Sequence, residues 1–149
     1  MGLRVARGNW QYRLLNVNSA ATFVAGSAVK FNGARDVVEM GSAVTDTQVL
    51  GIALHSSANS CPTGKVLVAI PGDRTCTFIA PTGATAGSSL SFGQGVGLAK
   101  SGNTFDQLSA SVVTRHAQVA GTFDSTNSLV ELAFLADALQ LFSTTTMAI

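Results

Sequence analysis

The chain has 149 residues, enough for one domain with a real hydrophobic core. Hydrophobic residues make up 46% of it and charged residues only 11%, against roughly 25% charged in an ordinary soluble domain. Either the surface is a neutral one of Ser, Thr, Asn and Gly, or part of it is covered by partners. The net charge of +1 excludes a global basic field for nucleic acid, and no apolar run approaches the length of a membrane span.

In chain order, residues 1–21 come first. They hold the only Trp (Trp10), the only Tyr (Tyr12) and the arginines Arg4, Arg7 and Arg13. No continuous apolar stretch marks a secretory signal, and Ala6 stands where a myristoylation motif needs Ser or Thr. A soluble product made in a cytoplasm is therefore expected. Single-strand binders alternate basic and aromatic residues along a sheet face. The cluster of Arg7, Trp10, Tyr12 and Arg13 has no second copy, so no nucleic-acid partner is expected. Trp, Tyr and Arg instead dominate protein interfaces. The stretch reads as an N-terminal arm bearing a partner contact.

Strand signals follow at residues 37–40 (VVEM), 66–70 (VLVAI), 75–79 (TCTFI), 89–92 (SLSF) and 129–135 (LVELAFL). They are short, rich in β-branched or aromatic residues, and partly alternating. Turn clusters lie between them, among them Pro62-Thr63-Gly64-Lys65, Pro71-Gly72-Asp73 and Asp124-Ser125-Thr126-Asn127. Strands at roughly 8–12-residue intervals predict an all-β fold, a compact β-barrel or β-sandwich, with less than about 15% helix. Alternation puts Cys76 and Phe78 on one face. It puts Val130, Leu132 and Phe134 on a core face, opposite Glu131.

A weak repeat is visible at an offset of 64 residues: Ala53 meets Ala117, Val66 meets Val130, Val68 meets Leu132 and Ile70 meets Phe134. Chance similarity between two amphipathic hairpins is the competing explanation. Residues 137–149 end the chain as a C-terminal arm with Leu139, Leu141, Phe142, Met147 and Ile149. These side chains either fray, pack on their own subunit, or dock on a neighbour. The core is then residues 22–136.

The chemistry-bearing motifs are weak. Gly93-Gln94-Gly95-Val96-Gly97 lacks the spacing and the following helix of a dinucleotide loop, and reads as a glycine bulge or turn. Gly64-Lys65 is followed by Val66, not the Ser or Thr of a P-loop. Cys61 and Cys76 fit buried thiols best, with a disulfide or a zinc site with His55 and His116 as weaker alternatives. His55 and His116 have no nucleophile or orienting acid at motif spacing. Each reads as a strand or turn residue whose replacement by alanine leaves partner binding nearly intact. No catalytic residue, metal or cofactor is expected.

The stretches Ala25-Gly26-Ser27-Ala28-Val29-Lys30, Val49-Leu50-Gly51-Ile52-Ala53-Leu54 and Thr85-Ala86-Gly87-Ser88-Ser89-Leu90 together resemble the capsid decoration (cement) proteins of tailed bacteriophages. The closing Leu129-Val130-Glu131-Leu132 does too, whereas Arg115-His116-Ala117-Gln118 departs from the family's second Gly-x-Ala-Leu strand. The resemblance spans roughly residues 24–135. It implies a compact β subunit on the outer capsid surface of a virion, bound across neighbouring major capsid protein subunits. It further implies a homo-oligomer, with a trimer favoured, and no membrane partner. Two other readings stay open. One is another phage β-structural protein of the tail, head completion or fibre base. The other is a carbohydrate- or ligand-binding β-sandwich, or a small enzyme on one.

Overall fold

The computed structural model describes residues 2–17, 24–31, 37–39, 49–56, 64–82, 90–101, 104–109, 115–124 and 126–139. Among the described residues eleven strands are formed: β1 Arg4–Arg7, β2 Trp10–Asn16, β3 Ala28–Phe31, β4 Val37–Glu39, β5 Gly51–Ala53, β6 Lys65–Pro71, β7 Thr77–Pro81, β8 Gly95–Ser101, β9 Thr104–Ser109, β10 Ala117–Asp124 and β11 Leu129–Phe134. They build two antiparallel sheets, one of six strands in the order β1-β7-β11-β10-β8-β9 and one of five in the order β2-β6-β5-β3-β4. Among the described residues the only helical element is a 3-10 turn at Ala136–Ala138. The fold is all-β, as the short β-branched runs predict.

Alternation fixes the faces. In the six-stranded sheet Phe78 pairs with Leu132 and Ala80 with Val130, and all four are buried together with Cys76. The Phe78 ring stacks on Phe134 at 4.4 Å between centroids. Burying a side chain of that size contributes on the order of 2–3 kcal/mol. This core cluster continues through Leu3 and Trp10 to Ala28, Ile52 and Ala69 of the five-stranded sheet. The opposite face of that sheet carries a second cluster, with Val29, Ala53, Val66, Val68 and Ile70 buried and Leu15, Val17 and Phe31 packed beside them. Both faces of β6 and β5 are therefore covered, which is why residues 66–70 read as a continuous apolar run.

The two sheets are versions of one unit. In each, five strands taken in chain order lie side by side as first, fifth, fourth, second, third: β2-β6-β5-β3-β4 in one, β7-β11-β10-β8-β9 in the other. The correspondence extends to single hydrogen bonds. The turn before β3 has Ser27 N–H donating to Val24 O and Gly26 N–H to Ala53 O, at 3.0 and 2.8 Å. The turn before β8 has Gln94 N–H donating to Ser91 O and Gly93 N–H to Val119 O, at the same distances. Gly26 and Gly93 share a left-handed φ of 84° and 85°, a conformation that glycine adopts without a steric penalty. Side chains close both turns as well, Ser27 Oγ accepting from Val24 N–H and Gln94 Oε1 from Ser91 N–H. The pairings of Val68 with Ala53 and Leu132 with Val119 match Val68 to Leu132, at the offset of 64 read from the sequence. They match Ala53 to Val119 rather than to Ala117. The sequence alignment of that strand was two residues out of step, which preserves the face but not the partner.

Residues 4–16 are not a separate arm. They form β1 and β2, one in each sheet, and the chain passes between the sheets at Gly8 and Asn9. β6 and β7 run alongside, with Trp10 opposite Pro71 and Arg7 opposite Thr77. This two-stranded ribbon therefore turns from one sheet into the other, and Gly72 N–H donates to Asn9 O at the bend, 3.0 Å. Residues 90–92 also differ from the expected strand. Phe92 and Gly93 form the turn, and the strand begins at Gly95, so the glycine-rich run is half turn and half strand.

Candidate interaction surface

The residues singled out for partner contact separate into three groups. Arg4, Arg7, Tyr12 and Arg13 are exposed. Trp10 is 7% exposed and part of the core, and its indole Nε1–H donates to Arg7 O at 2.9 Å. It packs into its own fold. Leu139 is likewise buried, bridged to Val49 beyond the 3-10 turn. Its burial shows self-packing where docking was one of the alternatives. Leu141, Phe142, Met147 and Ile149 lie outside the described residues, as does Cys61. Cys76 is a buried free thiol.

Arg7 is engaged within the subunit. Its guanidinium meets Glu131 with Nη2 at 2.6 Å and Nε at 2.8 Å from Oε2, and the Thr77 hydroxyl donates to the same oxygen at 2.5 Å. The cluster crosses three adjacent strands, β1, β7 and β11. Partial burial alone would raise the Glu131 pKa. The Thr77 and Arg7 hydrogen bonds and the Arg7 charge outweigh it and hold the carboxyl below its ordinary value. Asp73 and Asp124 are lowered as well. The Thr75 hydroxyl and backbone N–H act on Asp73, and the Asn127 side chain and backbone act on Asp124 in the β10–β11 turn. Groups with depressed folded-state pKa stabilise above the unfolded carboxylate value and lose that contribution as pH falls through the folded value. Stability is therefore expected to be level above about pH 5 and to fall below it. Glu131→Gln is expected to make the acid limb shallower, read from denaturant midpoints across the pH series. A limb of unchanged slope in the variant would contradict the assignment.

Both described histidines serve the backbone. His116 is fully buried, and its Nδ1 accepts the Leu98 N–H at 3.0 Å. His55 Nε2 accepts the Leu67 N–H at 3.0 Å. Among the described residues no group of three His, Cys, Asp or Glu side chains is placed to hold a metal ion.

Among the described residues the large exposed apolar side chains are Tyr12, Leu14, Leu54 and Phe92. The last three escaped the sequence reading. Leu14 shares the face of Tyr12, a signal available only once β2 is known to be a strand. Phe92 looked like a strand residue, yet at the tip of its turn it is 80% exposed. An open apolar cleft of about 370 Å³ lies between Leu3, Val5, Ala25, Ala53 and Leu54.

Neither the scan of protein-family models nor the search of curated proteins returns a match to this chain.

Proposed function

We propose that the chain is a structural virion subunit that decorates a tailed-bacteriophage capsid, binding outside neighbouring coat subunits. In this reading the two sheets pack face to face as a sandwich, and the subunit performs no chemistry. Three features support it: the resemblance over residues 24–135, the 11% charge content, and the large exposed apolar side chains Tyr12, Leu14, Leu54 and Phe92. The observation that carries most weight is Phe92. A phenylalanine 80% exposed at the tip of a glycine turn gains little in water, and gains about 1.5–3 kcal/mol when it enters an apolar pocket. The turn is fixed by Gly93 N–H to Val119 O and Gln94 N–H to Ser91 O, so little ordering opposes docking. A subunit repeated over a shell then accumulates stabilisation without any single strong site.

Co-sedimentation with emptied, expanded coat shells of the parent phage tests this. Saturable binding is expected, and Phe92→Ala should weaken it roughly tenfold or more, about 1.4 kcal/mol, with unchanged melting of the free subunit. Absence of saturable binding by the unaltered chain would overturn the reading.

A further inference from the structure

We propose that β2 is the seam of a two-fold dimer, pairing antiparallel with β2 of a second copy to merge two five-stranded sheets into one. The inference stands apart from the capsid reading and rests on the internal repeat. β7, the first strand of its unit, has β1 on its outer edge, with Arg4 opposite Ile79 and Arg7 opposite Thr77. Among the described residues β2, the first strand of the other unit, has no strand there and is the edge of its sheet. Pairing with the matched strands β6 and β11 makes Leu14 the counterpart of Ile79 and Arg13 that of Phe78. The position that β1 fills in one unit is therefore the stretch of β2 that carries exposed Tyr12 and Leu14 in the other.

The backbone is ready for a strand. Val17 N–H donates to Gly64 O, and Gly72 N–H donates to Asn9 O. Because antiparallel bonding alternates, the odd residues of β2 turn their N–H and C=O toward β6. Trp10, Tyr12, Leu14 and Asn16 turn theirs outward. The register with β6 is unbroken from Trp10 to Asn16, whereas β1, the edge of the other sheet, is bulged between Val5 and Arg7. Edges are ordinarily guarded by bulges, prolines or several charges. β2 has only Arg13, whose guanidinium reaches Tyr12 O and Gln11 Oε1 at a long 3.4 Å.

A second copy is the occupant that this edge matches. A two-fold axis perpendicular to the sheet pairs residues of the same face, so the seam is centred on one residue. Centring on Arg13 sets two like charges opposite each other, which is destabilising. Centring on Tyr12 sets Tyr12 opposite Tyr12, Trp10 opposite Leu14, and Arg13 opposite Gln11, the acceptor it already uses within the chain. Such a seam is two-fold, so the unit it forms is a dimer and not the trimer that the family resemblance implies.

Sedimentation equilibrium of the purified chain at up to about 100 μM is expected to give twice the 15.2 kDa chain mass. Leu14→Pro removes an outward N–H and no bond of the β2–β6 ladder, and is expected to give a monomer with unchanged circular dichroism. Cross-linking gives a second readout that keeps the wild-type backbone. In a Cys61→Ser background, Tyr12→Cys is expected to form a disulfide dimer on mild oxidation, since paired Cα atoms lie about 5.5 Å apart. Leu14→Cys is not, because the two copies of that position lie roughly 13 Å apart along the seam. A monomeric wild-type chain at every concentration, an assembly indifferent to Leu14→Pro, or equal cross-linking at both positions would each overturn the proposal.

Discussion

Gly8→Ala is expected to destabilise the subunit by about 3 kcal/mol or more, lowering its melting temperature by about 6–12 °C. Gly8 sits where β1 leaves one sheet and the chain enters the other, at φ 103°. A non-glycine residue in such backbone costs on the order of 1–3 kcal/mol. Sterics add to that. A Cβ built on Gly8 lies 2.4 Å from Cys76 Cα and 2.6 Å from Cys76 N. Both are backbone atoms of the partner segment of the corner, so neither can rotate away. The β1–β2 and β6–β7 ribbons would have to part at the place where they bend together. Gly64→Ala is the internal control. Gly64 also has a positive φ, 81°, but its Cβ would meet no atom within 4 Å, so only the conformational penalty of about 1 kcal/mol remains. Chemical denaturation of both variants reads the difference directly. Equal midpoints for the two would mean that the corner does not hold the sheets.

His116→Ala is expected to destabilise by about 3 kcal/mol, against about 1 kcal/mol for His55→Ala. His116 is 0% exposed and is the acceptor for Leu98 N–H in β8. Its own N–H donates to Val96 O, and its C=O accepts from Leu135 N–H. The residue therefore ties β8, the start of β10 and the end of β11. Alanine leaves a buried backbone N–H without its acceptor and opens a cavity. Asparagine carries an oxygen at a position close to that of Nδ1, so His116→Asn is expected to recover part of the loss. Urea midpoints of the three variants check the order. If asparagine and alanine were equally destabilised, the hydrogen bond would not be the cause. The sequence alone reads both histidines as strand or turn residues whose replacement leaves partner binding nearly intact. That role is structural in each, but for His116 it lies at the centre of the fold.

What the sequence makes legible follows from burial. Residues 66–70 advertise themselves because both faces of β6 are covered, and residues 129–134 because Val130 and Leu132 are buried at alternate positions. β2 does not, because an edge strand exposed on both faces from Gln11 to Leu14 reads Gln-Tyr-Arg-Leu and shows no apolar period. β8 is hidden by Gly95 and Gly97. The repeat was visible in its fifth strand, where buried residues coincide, and slipped in its fourth. The connection there differs between units. Ala53 and Lys65 are joined by a long segment, whereas Asp124 and Leu129 are joined by a tight turn. β10 also carries a register shift between Val119 and Phe123. The exposed apolar surface was legible only as composition. Trp10 is as strong an interface residue by type as Tyr12 and shares its face of β2, but beside the corner at Gly8 it is buried, whereas Tyr12 further along the strand is exposed.

Cryo-electron microscopy of the parent particle tests the central claim most directly. Density is expected for the paired five-stranded units outside the coat lattice, contacting more than one coat subunit, with the Phe92 turn against the coat. Density for this fold confined to the tail or the neck, or a shell surface without it in particles that contain the chain, would contradict the account.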